Sequence, residues 1–530
     1  MNLHNSLMES RLSFCAFRNF SRKDLPIYLI VFFSAVALKI VAESIAYPYP
    51  IGYDVINYYI PMLSNFEDEW NTILGDYPFY TYVLHLVQNL TGLTVQTTVS
   101  TFAAFIFGLF AVSILALAKA ISMKNNNNNL YALLISLFVI VQIPVLRTTW
   151  DLHRDMFSLT MMFFAISILI RLRNTDPIRF PSLALGSCIS FSVLSVVSDR
   201  MVGVWLIGVY CICAILYRER TTAIIFIAAL VSFLIFLSVT GDGYSIVSSS
   251  IRSIADADVD YQIFGKRGPS GDGYTQANLF SYFIALNIML LPLGIVGYLQ
   301  LKESFLRISL IVALVGSMTW LVLPYARELV ADRWILLFGI SLSIFAGYGF
   351  IKIIQMMSTR LRNTYLHILA SGMIFLISAQ FGIMYAVLPY EAQFSVIGLF
   401  DKNIRDFAPK SMQFNSVEAD QSDELLDIIH WVNENTPARS KIIGSNDWRG
   451  WFILELAENR NFVTYERMGD IFRNATYAPN HQSYLIDTKV SDDSVNQRTN
   501  LVLERAKAYS NSLFTVYRIW EFPKNANLVQ

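Results

Sequence analysis

The sequence predicts a mainly α-helical membrane protein with about eleven transmembrane helices, followed by a small α/β domain. Of the 530 residues, 54% are hydrophobic and only 15% are charged, whereas a soluble protein usually carries about 25% charged residues. The charges are also unevenly placed. Residues 391–530 contain 34 of them (24%), and the first 390 residues contain 46 (12%). The chain is therefore expected to divide into a membrane part and a soluble C-terminal part.

The spans follow from the apolar runs, because a helix needs about 20 mostly apolar residues to cross a bilayer and about 17 is the lower limit. The first run is long and begins after about 24 residues, which favours a retained span over a signal peptide. The eleven predicted spans are 25–43, 96–121, 130–146, 156–171, 181–198, 201–216, 221–239, 278–299, 306–325, 334–356 and 365–388.

Loop charges predict the orientation, because cytoplasmic loops of membrane proteins carry an excess of Lys and Arg. The first loop after span one, residues 44–78, contains neither residue, whereas alternate loops contain several. The N-terminus is therefore expected in the cytoplasm, and eleven spans place the C-terminus outside. The predicted parts of this multi-pass cell-membrane protein are a cytoplasmic arm 1–24, a membrane domain 25–389 with an outer loop 44–95, and an extracytoplasmic domain 390–530.

The first outer loop is acidic. Its Asp54 lies in an aromatic setting, Gly52 to Tyr59, close to the end of span one. Carboxylates without basic neighbours can bind a metal ion or accept a proton. For any one of them, a solvated acid beside a helix is the alternative interpretation. The acids of the loop, with Glu43 included, are Glu43, Asp54, Glu67, Asp68, Glu69 and Asp76.

The other short outer loops mix acids with arginines. They are predicted after span three (147–155), between spans five and six (199–200) and after span nine (327–333). Arginine forks match phosphate oxygens in a bidentate manner. Asp151 and Asp155 have the i,i+4 spacing that places two residues on one helix face. These loops are therefore expected to form a polar site at one edge of the membrane.

The C-terminal part reads as a small α/β domain. A helical pattern over 425–435 ends before Pro437, and 441–444 reads as a buried strand. A turn at 446–450, a helix at 451–456 and strands at 462–465 and 513–522 follow. No Ser-His-Asp spacing, Walker loop or zinc pattern is present, and a net charge of zero gives no argument for nucleic acid.

These motifs resemble those of the GT-C superfamily of polytopic membrane glycosyltransferases, which includes protein mannosyltransferases, aminoarabinose transferases and the catalytic subunit of oligosaccharyltransferase. Asp54 to Tyr59 is similar to a first-loop motif Asp-x-x-x-Tyr-Tyr. The run from Asp332 to Gly349 looks like a late membrane segment of the family. Residues 425–456 are similar to the start of the oligosaccharyltransferase soluble domain, which has Trp-Trp-Asp-Tyr-Gly where this chain has Ser445 to Gly450.

The resemblance implies transfer of a hexose or pentose from a polyprenyl- or dolichyl-phosphate donor to an extracytoplasmic acceptor, which is a protein, lipid or glycan. Asp54 would be the general base or would orient the acceptor. Asp151 and Asp155 would bind a divalent cation, Mg or Mn. The residues implied for the donor phosphate are Arg154, Arg327 and Arg333.

Three other functions remain open. Oligosaccharyltransferase-like protein N-glycosylation is less favoured, because the double tryptophan is missing. A transporter or flippase of lipid-linked sugars would need charges near the bilayer midplane, whereas these charges concentrate at one edge. A membrane scaffold that binds a partner does not require arginines around an acidic loop.

Overall fold

A computed structural model gives the fold. Contacts divide the chain into two compact units. The described residues of Met1–Tyr49 and Phe66–Met412 form the helical unit, and those of Pro50–Asn65 and Gln413–Gln530 form the α/β unit. The structure describes residues 24–46, 52, 54–64, 66, 78–121, 128–174, 181–240, 276–322, 331–360, 364–387, 419–445, 448–457, 460–465, 483–488 and 507–519.

Every apolar stretch predicted as a span is mainly helical over its described residues, with short breaks in three of them, because a backbone in an apolar solvent must satisfy its own hydrogen bonds. The helices of the helical unit are α1 (Leu25–Ala46), α3 (Pro78–Thr91), α4 (Val95–Ile121), α5 (Asn128–Ile140), α6 (Ile143–Asp151), α7 (His153–Asn174), α8 (Pro181–Ser198), α9 (Arg200–Tyr217), α10 (Arg220–Thr240), α11 (Gln276–Asn287), α12 (Leu291–Gln300), α13 (Ser304–Ser317), α14 (Thr319–Val322), α15 (Ala331–Arg360) and α16 (Thr364–Val387).

The predicted fold class is confirmed as a mainly helical chain with a small C-terminal sheet, but the number of eleven spans is not. Among the described residues, six helices are long and apolar enough to cross a membrane, or seven if α5 and α6 count as one bent span. Four further apolar helices are shorter. The predicted span 278–299 is interrupted at residues 288–290, between α11 and α12. The apolar helices support a multi-pass membrane protein.

The predicted span 130–146 is not straight. Its two halves, α5 and α6, meet at an angle of 62°. Gln142 is extended at the break, and Pro144 stands in the first turn of α6. Proline has no N–H to donate, so it is tolerated at the start of a new helix but would break a continuous one.

Close backbone contact fixes α12 against α15. A Cβ added at Gly297 would lie 1.9 Å from the carbonyl oxygen of Phe345, and one added at Gly349 would lie 2.0 Å from that of Leu293. Small residues allow such contact between membrane helices. The helix that carries Arg333 near its start is therefore held against α12 at residues 345–349.

The α/β unit contains a five-stranded sheet in the order β2-β1-β3-β5-β4. β1 is parallel to β2 and β3, whereas β5 is antiparallel to β3 and β4. The predicted helices and three predicted strands are present; β3 and β4 were not predicted. The elements are α2 (Ile60–Ser64), α17 (Ala419–Asn435), β1 (Lys441–Ser445), α18 (Arg449–Glu455), β2 (Asn461–Tyr465), β3 (Ser483–Thr488), β4 (Lys507–Ser510) and β5 (Phe514–Ile519).

The α/β unit also includes part of the predicted first outer loop. A five-residue π-helix, Val55–Tyr59, is followed by α2, and both pack against α18. Val55, Ile56 and Ile60 are fully buried. A sequence interpretation that follows chain order assigns these residues to the membrane domain, but their contacts group them with the C-terminal residues.

Candidate functional site

The prediction of a loop over residues 147–151 is wrong, because these residues form the end of α6 and are buried. Arg147 donates to Asp151 at 2.9 Å, and their side chains are 5% and 2% exposed. One charge compensates the other, so the polar sequence can be buried in an apolar unit.

The shared helix face of Asp151 and Asp155 is also wrong. Asp151 is the last residue of α6, and Leu152, with φ −97° and ψ 57°, separates it from α7. Asp155 lies in the first turn of α7. The spacing rule holds only within one continuous helix, and Leu152 interrupts it.

Four side chains from three places in the helical unit form a charge cluster: Arg154, Asp155, Asp199 and Arg333. Arg154 Nε lies 3.1 Å from Asp199 Oδ2 and 3.8 Å from Asp155 Oδ1. Arg333 Nη1, from the start of α15, lies 3.7 Å from the same oxygen of Asp155. The structure thus brings together two of the three predicted phosphate residues and one of the two predicted metal ligands. Arg327 lies outside the described residues.

One carboxylate oxygen of the charge cluster lacks a hydrogen bond among the described residues. Asp155 is buried, and its Oδ1 has no hydrogen-bond partner among the described residues, although two guanidinium groups lie within 4 Å. A buried acceptor is usually satisfied. Arg154 and Arg333 retain exposed fractions of 15% and 23%, whereas both carboxylates are nearly inaccessible. A ligand that reaches the cluster would therefore meet the arginines first.

Asp199 has a structural task within the cluster. It is the N-cap of α9, and its Oδ1 accepts hydrogen bonds from the N–H groups of Met201 and Val202, each at 2.9 Å. Burial raises the pKa of Asp199, but Arg154 and the Val202 N–H oppose this by more, so its pKa lies below the usual range. Asp199 therefore fixes both the start of α9 and the orientation of Arg154.

A second buried ion pair lies in α1. Lys39 Nζ and Glu43 Oε1 are 2.7 Å apart, and the lysine side chain is fully buried. Glu43 was grouped with the acids of the outer loop, but its partner comes from its own helix. Lys39 lies inside a predicted span, and Glu43 follows it by four residues, which is the spacing of an ion pair on one helix face. The sequence therefore contains the signal for this pair.

The predicted divalent cation does not fit the described residues. Asp151 faces Arg147, and Asp155 faces Arg154 and Arg333. Within the described ranges, no group of three or more His, Cys, Asp or Glu side chains is arranged to hold a metal ion.

Asp54 lies in the α/β unit, at the position before the π-helix. Its backbone is helical, with φ −65° and ψ −27°, and its side chain makes no capping hydrogen bond. The side chain of Asp54 is half-buried, and the three residues that follow it are buried. Asn57, one turn further, accepts a hydrogen bond at 3.0 Å from the N–H of Gly450 in α18.

Sequence reasoning missed the roles of Asp199, Arg147 and Lys39. Asp199 stands alone between two apolar helices, and an acid in so short a connection is typical of an N-cap. Arg147 and Lys39 each have an acid four residues further along the chain. The sequence shows the four-residue spacing of these two ion pairs. The contact of Asp199 with Arg154 depends instead on how the helices pack.

No family model matches the chain, and neither does any curated protein. The chain is similar to the solved structure of ArnT from Cupriavidus metallidurans in the apo state, with 10% identity, a TM-score of 0.46, and coverage of 95% of this chain and 98% of that one. The same enzyme bound to undecaprenyl phosphate gives 11% identity, a TM-score of 0.43, and coverage of 93% and 97%. A likeness at this level concerns the course of the chain and does not extend to activity or site residues.

Proposed function

We propose that this protein is a membrane glycosyltransferase that moves a sugar from a polyprenyl- or dolichyl-phosphate donor to an extracytoplasmic acceptor. The observation that carries the proposal is the charge cluster of the helical unit. Two partly exposed arginines, from α7 and α15, approach one carboxylate oxygen without hydrogen-bonding it. Apolar helices around a guanidinium pair suit a molecule that has a hydrocarbon tail and a phosphate head.

Sugar transfer needs two kinds of help. The acceptor oxygen forms a bond to the anomeric carbon, while the bond from that carbon to the phosphate oxygen breaks. The electron pair leaves with the phosphate, and cationic groups there stabilise the charge that develops. The acceptor also loses its proton, and a carboxylate acting as general base accepts it.

Arg333 is the proposed main contact of the donor phosphate. Its Nη1 lies 3.7 Å from Asp155 Oδ1, which is longer than a charge-assisted hydrogen bond, and its side chain is 23% exposed, so a phosphate oxygen can approach it. Arg154 is held at 3.1 Å by Asp199 and is proposed as the fixed second guanidinium. Arg327 stays a prediction for the same role.

Asp54 is the proposed general base for the acceptor. Its side chain is half-buried at the start of the π-helix, in the position that the first-loop motif Asp-x-x-x-Tyr-Tyr gives to its acid. Glycine and tyrosines flank it in sequence, and its neighbours in the π-helix are buried. A monosaccharide transferase is favoured over protein N-glycosylation by the missing double tryptophan.

A transporter of lipid-linked sugars is the second candidate. The ion pairs Lys39–Glu43 and Arg147–Asp151, both buried within helices, favour it, because intramembrane charges often mark a substrate pathway. Full-length protein in sealed vesicles distinguishes the two functions. A transporter would move extracted lipid-linked sugar across the bilayer intact, whereas a transferase releases polyprenyl phosphate when acceptor membranes are added.

Arg333→Lys tests the proposal, because lysine keeps the charge but lacks the planar fork. We expect binding of undecaprenyl phosphate to full-length protein in nanodiscs to weaken by roughly tenfold or more, since a hydrogen bond to a charged group contributes about 1.5–3 kcal/mol. Arg360→Lys is the matched control, because Arg360 is exposed at the other end of the same helix. Unchanged affinity in Arg333→Lys would exclude Arg333 from the phosphate site.

A further inference from the structure

The segment that carries Asp54 is bound to the C-terminal residues by a hydrogen bond that spans 393 positions of sequence. Gly450 is the second residue of α18, where backbone N–H groups have no partner within the helix. Trp448, at the N-cap, offers no capping side chain. Asn57 Oδ1, 3% exposed, supplies the missing acceptor at 3.0 Å.

The backbones of α18 and the π-helix also pack closely at Gly450. A Cβ added at Gly450 would lie 1.7 Å from the carbonyl oxygen of Ile56 and 2.3 Å from its carbonyl carbon. Both atoms belong to the backbone, so a side chain at 450 cannot be accommodated unless the π-helix and α18 move apart. Ile56 is two residues from Asp54, so such a separation changes the support of the backbone that carries Asp54.

The π-helix itself needs support from outside, because its hydrogen bonds are poorer than those of an α-helix and such turns are usually short and local. Here its inner side chains Val55, Ile56 and Tyr59 are buried, and α18 packs against it. Trp451 and Phe452 of α18 are fully buried in the same unit. The backbone that presents Asp54 is therefore set by α18.

We infer that Asn57 and Gly450 are positioning residues. Through them, α18 of the C-terminal domain holds Asp54 in the orientation that sugar transfer requires. The inference rests on the proposed function, since it assigns Asp54 a task in transfer. It predicts that a substitution in α18, distant in sequence from the first loop, impairs the same step as a change at Asp54.

The test uses the purified full-length protein, lipid-linked sugars extracted from cells that lack the gene, and membranes of those cells as the acceptor source. Released polyprenyl phosphate is measured by mass spectrometry. We expect Gly450→Ala to lose about a hundred-fold, the size of effect that a 1 Å misplacement produces. Asn57→Ala should lose about tenfold, because one hydrogen bond is removed. Binding of undecaprenyl phosphate should be unchanged in both.

Two comparisons separate positioning from simple destabilisation. In an Asp54→Asn background, Gly450→Ala should cost no more than about twofold, because residues that act as a unit are not additive. Gly372→Ala is the glycine control, since a Cβ there meets no atom within 4 Å.

The outcomes are distinguishable. If the wild-type protein releases no polyprenyl phosphate, the proposed function fails, and the positioning role fails with it. If the wild type is active and Gly450→Ala keeps near-full activity, the positioning role alone is overturned. If Gly450→Ala multiplies the loss of Asp54→Asn, it acts on the fold rather than through Asp54, which also overturns the inference.

Discussion

Two aspartates at the starts of helices behave differently. Asp199 has an extended backbone, and its carboxylate accepts two backbone N–H groups of α9 as well as the guanidinium of Arg154. Asp54 has a helical backbone, and its carboxylate makes no capping bond. The sequence places both as single acids beside an apolar segment, yet only Asp199 is used to start its helix.

The comparison shows two ways in which the segment around an acid is held in place. In the helical unit, buried charges compensate one another, as in Arg147–Asp151 and Lys39–Glu43. The Asp54 segment is instead anchored by its neighbours, through an amide oxygen on Asn57 and close backbone contact with Gly450.

The largest expected effect is on stability, at Asp199. Asp199→Ala removes two capping bonds and the partner of Arg154, and breaking a buried ion pair costs about 3–5 kcal/mol. We expect the free energy of unfolding of the full-length protein in detergent to fall by about 3 kcal/mol. Asp199→Asn keeps the capping oxygen and should lose roughly half as much. Equal stability of Asp199→Ala and wild type would show that this cap is not needed.

Asp54→Asn should impair transfer and leave stability unchanged, the reverse of the change at Asp199. We expect transfer to fall by about a hundred-fold or more, the usual size of a general-base contribution, while the unfolding transition stays unchanged. The measurement is released polyprenyl phosphate, alongside thermal unfolding of the same preparation. Asp423→Asn, an exposed acid on α17 of the same unit, should change neither quantity. Near-full transfer in Asp54→Asn would move the base to another acid of the loop.

The smallest expected effect is a pH dependence at Asp199. A carboxyl group whose native pKa is lowered contributes stability above its unfolded pKa, about 3.9, and loses it as pH falls through the native pKa. The stability difference between wild type and Asp199→Asn should therefore be constant from pH 5 to 8 and shrink below about pH 4. Thermal unfolding at each pH measures it. A difference that changes between pH 6 and 8 would mean that the native pKa of Asp199 is raised instead.

Much of the fold could be predicted because its causes are local. Apolar runs must form helices in a membrane, and the helix over 425–435 and the strands at 441–444 and 462–465 follow from local pattern and proline placement. β3 and β4 could not, because both are short and their strand state depends on pairing with β5. The bend at residues 141–142 was missed because Pro144 was included in a continuous apolar run.

For the site, the sequence by itself determined which residue types are available: an acidic first loop, arginines at the helix starts and an apolar chain around them. Only the tertiary structure decided how they pair. Asp151 is paired with Arg147, and Arg154 with Asp199, because two charges buried in an apolar unit are stable only next to each other. The tertiary structure also decided that Asn57 meets Gly450. A hydrogen bond across 393 positions depends on packing, which no local pattern of residues records.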